Sequence, residues 1–150
     1  MEGEMANGTL EVLLINARRL KDKNFLVKMD PYVLIQYGNQ VRWSSVAKGR
    51  NPEWNEKFTF NAEYPGGEHH KYKLILRIMD KHKLSCIDDF IGQTTIYVKD
   101  LVSMGVEMGQ AHLRPTKYRV VLPNQSYAGE ISVAVAFTLD TIARITPSTP

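Results

Sequence analysis

Two groups of carboxylates set fifty residues apart carry most of the chemistry this chain could do. The first ends at Met29-Asp30-Pro31-Tyr32-Val33, with Asp22 shortly before it; the second runs from Met79-Asp80 to Asp88-Asp89-Phe90-Ile91-Gly92. Each acid stands where an alternating apolar stretch gives way to a loop. Carboxylates brought together from two loops repel one another unless a cation lies between them. Hard loop oxygens of this kind suit Ca²⁺, which accepts six to eight of them in flexible geometry.

The same loops carry lysines and apolar tips. Residues 21–30 hold Lys21, Lys23 and Lys28 against two Asp, a net of +1; residues 80–89 hold Lys81 and Lys83 against three Asp, a net of −1. Ammonium groups beside a cation site weaken it, yet they attract lipid phosphate at about 1 kcal/mol each near a bilayer. Phe25-Leu26-Val27 in the first of these loops and Leu84-Ser85-Cys86-Ile87 in the second are apolar runs flanked by charge. Apolar surface costs roughly 25 cal/mol per Å² in water, so such tips read as membrane-inserting, with folding back over the end of the domain as the alternative.

Strands must position these loops. Alternating segments at 9–17, 32–37, 41–47, 54–61, 71–79, 91–98, 117–122 and 129–138, with turn signals such as Gly38-Asn39 between them, predict an all-β, eight-stranded antiparallel sandwich. One short helix is expected between late strands, over 99–104 and ended by Gly105. Trp54, Phe58 and Phe60 read as core. Trp43 is expected to pair across its hairpin, with a lipid headgroup contact as the alternative. Residues 1–7 read as a flexible N-terminus, 8–139 as the domain and 140–150 as a tail.

At 150 residues, with 43% apolar and 23% charged residues, the chain is one domain able to bury a core. A net charge of +3 provides no strong global field for nucleic acid or membrane. One cysteine, Cys86, excludes an internal disulfide and fits a reducing compartment. The expected location is cytoplasmic, reversibly at the plasma membrane, as a monomer.

Asp30-Pro31-Tyr32-Val33, Asn51-Pro52-Glu53-Trp54-Asn55-Glu56 and Asp88-Asp89-Phe90-Ile91-Gly92, in that order, resemble the three signature stretches of a C2 domain. Ser45-Val46-Ala47-Lys48, Ala62-Glu63-Tyr64-Pro65-Gly66 and Ile96-Tyr97-Val98-Lys99-Asp100-Leu101 resemble the small single-domain plant C2 proteins, the elicitor-responsive and phloem proteins. The resemblance implies type II topology, in which the first strand leads directly into the first acidic loop. It also implies a non-enzymatic module; no nucleophile with a partnering base and no phosphate-cradling Gly-rich loop argues otherwise.

The family's five aspartate positions fall on Asn24, Asp30, Asp80, His82 and Asp89, with Asp88 adjacent, so three keep a carboxylate. Two readings follow: weak or lipid-assisted Ca²⁺ binding by Asp30, Asp80, Asp88, Asp89 and Asn24, or a domain whose acids only shape turns. On the first reading, Phe25, Leu26, Val27, Leu84 and Ile87 insert into an anionic phospholipid membrane while Lys21, Lys23, Lys28, Lys81 and Lys83 meet headgroups, in signalling or a defence response. The rival reading is a phloem-type carrier of RNA or protein, or a Ca²⁺-independent protein-interaction module. An isoelectric point near 9.0 permits weak RNA binding, but no aromatic-and-basic stacking platform is visible. Arg42, Lys57, Lys71, Lys73 and Arg77 read either as a second anionic-lipid or phosphoinositide patch or, more commonly for such strand positions, as solvation and edge protection, and His69-His70 as a weak metal signal.

Overall fold

Every second side chain along the strands turns inward, and the period of two builds the core. The computed structural model describes residues 3–22, 27–66 and 72–145. In chain order the elements are β1 (Gly3–Arg18), β2 (Pro31–Tyr37), β3 (Gln40–Trp43), β4 (Glu53–Tyr64), β5 (Lys73–Asp80), β6 (Asp89–Tyr97), α1 (Lys99–Met108), β7 (Gln110–Val121) and β8 (Tyr127–Ile145). On β5, Leu74, Leu76 and Ile78 are buried while Lys73 and Arg77 face out. Leu10, Val12 and Leu14 of β1, Val33 and Ile35 of β2, and Val133, Val135 and Phe137 of β8 complete the same interior. Trp54 and Phe60 join that core, and Phe58 packs against it half-buried.

All pairings are antiparallel, in the order β3-β2-β5-β6-β7-β8-β1-β4. The two halves of this sheet meet through a single β6–β7 pair, Gln93 with Val121. At the opposite seam the Gln40 side-chain amide donates to the Asn61 carbonyl at 2.8 Å and accepts from the Asn61 N–H at 2.9 Å. That one amide bridges the edges of β3 and β4, so the sandwich nearly closes.

Several boundaries differ from the sequence expectation. The helix runs four residues further, to Met108, and ends at Gly109 with φ 92°. Gly105, expected to stop it, sits inside the helix because Phe137 packs there; a Cβ would lie 2.2 Å from the Phe137 ring. The stretch between the expected helix and the strand expected at 117–122 is therefore helix to Met108 and then the start of β7. The first and last strands also outrun the 8–139 expected for the domain. Gly3 pairs with Ile145 and Asn7 with Thr141, so residues 3–7 and 140–145 extend the β1–β8 ladder. Backbone pairing orders these ends although their side chains gave no apolar alternation.

The chain segments 19–30, 44–52, 81–88 and 122–126 all leave strands at the same end of the sandwich, with the 38–39 turn and α1 at the other. The two acidic loops thus share one pole.

Candidate functional site

Backbone hydrogen bonds bring the acidic loops together before any side chain acts. The Asp30 N–H donates to Oδ1 of Asp80 at 2.8 Å, and the Lys81 N–H donates to the Asp30 carbonyl at 3.0 Å. Pro31 and Asp80 are register partners in the β2–β5 ladder, which fixes this meeting. Asp89 pairs with Asp80 on β6. Asp30, Asp80 and Asp89 line one cleft of about 450 Å³ with Val27, Lys28, Lys81, His82, Lys83 and Leu84.

The segment after β3 adds a residue that spacing did not reveal. Its N–H groups continue along β2: Ser44 to the Val33 carbonyl, Ala47 to Pro31 and Gly49 to Met29, at 2.8–2.9 Å. This lays Lys48 beside Asp30. Lys48 Nζ is 2.7 Å from Asp30 Oδ1, and Lys83 Nζ is 3.6 Å from Oδ2. Asp30 is only 5% exposed, so its charge requires such partners. The Lys48 hydrogen bond holds the Asp30 carboxyl below its ordinary range, against the upward push of burial. Asp80 moves the other way: burial raises it, and the charges of Asp30, Asp89 and Asp22 add to the rise.

The second signature stretch is the clamp for this arrangement. The Ala17 N–H donates to the Pro52 carbonyl, the Leu20 N–H to Arg50, and the Arg19 N–H to the Asn51 side chain. The Trp54 indole N–H and the Glu56 carboxylate both hold Ser45. Asn51 to Glu56 therefore fixes the 44–52 segment against the start of the first loop.

The expected ligand set is only partly assembled. Asp88 is turned away: its carboxylate accepts from the Tyr32 hydroxyl and, at 2.9 Å, from the His82 N–H. Those two donors, the hydroxyl foremost, hold it below its ordinary range, while the pair raises Tyr32, already pushed up by burial, to about 12. Asn24 lies outside the described residues, as do Lys23, Phe25, Leu26, the His69-His70 pair and Lys71. Among the described residues no group of three or more His, Cys, Asp or Glu side chains is placed to hold a metal ion. A Ca²⁺ ion needs six to eight oxygens, and here the most buried carboxylate already holds two ammonium groups. The described residues do not fit a resident Ca²⁺.

The tips of the described loops stand in solvent. Leu84 is 95% exposed, Ile87 73% and Val27 53%, so none of them folds back over the sandwich. Lys21, Lys28, Lys81 and Lys83 are exposed around them. Arg42 lies over the core ring of Phe60, 5.0 Å from its centroid, while on the outer face Arg77 lies 4.9 Å from the centroid of Phe90 and Lys73 5.7 Å from that of Tyr97. Those cations pack on aromatic rings of adjoining strands.

An eight-stranded antiparallel sandwich with acidic loops joined at one pole is the arrangement expected above, and the C2 domain family model matches residues 8–113. The chain belongs to the C2 domain family. Among curated proteins, this C2 protein is 52% identical over 138 residues to "16 kDa phloem protein 1" of Arabidopsis thaliana, covering 90% of this chain and 87% of that one. It is 47% identical over 139 residues to "Elicitor-responsive protein 1" of Oryza sativa subsp. japonica, covering 88% and 85%. A solved C2 domain-containing protein superposes with a TM-score of 0.69 at 35% identity, over 93% of this chain and 94% of that one. β1 leads directly into the first acidic loop, the type II order.

Proposed function

We propose that this C2 domain is a non-enzymatic module that docks on anionic phospholipid membranes through its loop pole, using lysines where a Ca²⁺-loaded relative would use metal charge. One observation carries the reading: Lys48 and Lys83 are seated on the buried Asp30 carboxylate, beneath apolar tips that face solvent. The pairing removes the repulsion that a bare carboxylate cup would exert on lipid phosphate. Both ammonium groups stay more than half exposed and can meet headgroups, while Leu84, Ile87 and Val27 enter the bilayer. Ca²⁺ would have to displace Lys48 and Lys83 to reach Asp30, so its binding is weak and secondary. Cytoplasmic residence with reversible attachment to the plasma membrane belongs to the same proposal. A place in signalling or a defence response rests on likeness to the phloem and elicitor-responsive relatives.

Vesicle sedimentation in chelator tests the reading. Retention on phosphatidylserine-containing vesicles without Ca²⁺, weakened by salt and absent on pure phosphatidylcholine, is the expected result. No retention in chelator overturns it.

A further inference from the structure

A second opening lies beside the acid-and-lysine cleft, on the flank of the loop pole. It measures about 290 Å³ and is lined by Tyr32, Trp43, Ser44, Val46, Lys81 and Asp88. Trp43 stands opposite Leu34 across its hairpin, as expected, yet Leu34 is half-buried while Trp43 keeps 63% of its surface in solvent. The reason is the period of two along β3. Arg42 turns to the Phe60 ring and Trp43 must therefore turn the other way, at an edge of the sheet. Val46, three residues on, is also exposed, at 44%.

We infer that this flank is a second membrane-contact site, in which Trp43 and Val46 enter the bilayer interface while Lys81 meets a lipid phosphate. The inference rests on the docking reading above. Continuity argues for it: Lys81 borders both openings, and Asp88, in the wall of this one, directly follows the exposed tip residue Ile87. Charge argues for it too. The Asp88 carboxylate is engaged by the Tyr32 hydroxyl and the His82 N–H, so Lys81 faces an arriving phosphate beside an acid already held by two donors. An indole has an apolar body and one polar N–H, which suits the boundary between headgroups and acyl chains. With tip and flank both engaged, the domain lies tilted on the bilayer toward its β3 edge.

Tryptophan emission tests this directly, because the chain has two tryptophans and only one can reach lipid. Trp54 is 8% exposed and its indole N–H is bound to the Ser45 carbonyl at 2.9 Å. On phosphatidylserine–phosphatidylcholine vesicles carrying brominated acyl chains, the wild-type protein should show a blue shift and quenching. Trp43→Phe should lose both effects, and Trp43→Ser should partition about fivefold or more weakly at unchanged thermal stability. Sedimentation with vesicles without shift or quenching would overturn the flank contact and leave the docking reading standing. Failure to sediment at all would overturn both.

Discussion

The ammonium of Lys48 lies 2.7 Å from Oδ1 of Asp30, a carboxylate eighteen residues earlier in the chain and almost wholly buried. Among the described residues, removing the ammonium leaves that acid with the longer Lys83 contact. Lys48→Ala is expected to cost about 1–2 kcal/mol in denaturant unfolding. It should also open Asp30 to metal, so that millimolar Ca²⁺ raises Tm in the variant and not in the wild type. Equal Ca²⁺ shifts in both would show that the lysine does not guard the site.

The same contact fixes a pH dependence. Asp30 titrates below its ordinary value of 3.8 in the folded state, so the fold favours its ionised form. That stabilisation is complete above the ordinary value and is lost as pH falls through the lowered one. Stability measured from pH 5 downward should therefore fall less steeply in Lys48→Met than in the wild type.

Asp80 should behave oppositely, because its folded-state value is raised by burial and by neighbouring acids. Its charge opposes folding at neutral pH and is relieved as pH falls through the raised value. Asp80→Asn keeps an oxygen for the Asp30 N–H and discards the charge. A rise in Tm of roughly 2 °C at neutral pH, shrinking toward acid, is expected in calorimetry.

Leu84 is so exposed that its truncation should not touch the fold. Leu84→Ser is expected to leave Tm within about 1 °C while weakening vesicle partition roughly tenfold. A combined loss of Tm and partition would mean that the tip packs on the protein.

Gly105 faces the Phe137 ring, with a would-be Cβ 2.2 Å away. Alanine is the better helix former, yet Gly105→Ala should destabilise by about 1–3 kcal/mol through overpacking. Gly8 meets the same ring from β1, so Phe137→Leu should partly rescue either glycine variant.

Strand identity was legible because burial alternates strictly on β2 and β5, and the pole could be read from acids placed at strand ends. The Lys48 contact was hidden by distance in sequence, though the hairpin carried a clue. Continuing the β2–β3 register past Trp43 brings Ala47 opposite Asp30, and the observed bonds slip by one residue, which puts Lys48 there instead. The split between Asp88 and Asp89 was not legible because adjacent acids entering a strand face opposite ways, and the Tyr32 hydroxyl and His82 N–H that hold Asp88 are set by the fold. The helix end was misread because glycine breaks helices in isolation but fits one pressed against an aromatic ring.

The β1–β8 ribbon has a practical corollary. Gly3 and Ile145 are neighbours at the foot of a sixteen-residue strand whose other end, Arg18, abuts the first acidic loop. At about 3.3 Å per residue that separates them from the loop pole by about 50 Å. A fluorophore or cargo attached near either residue would hang on the side away from the bilayer, and both could be carried at once without obstructing attachment.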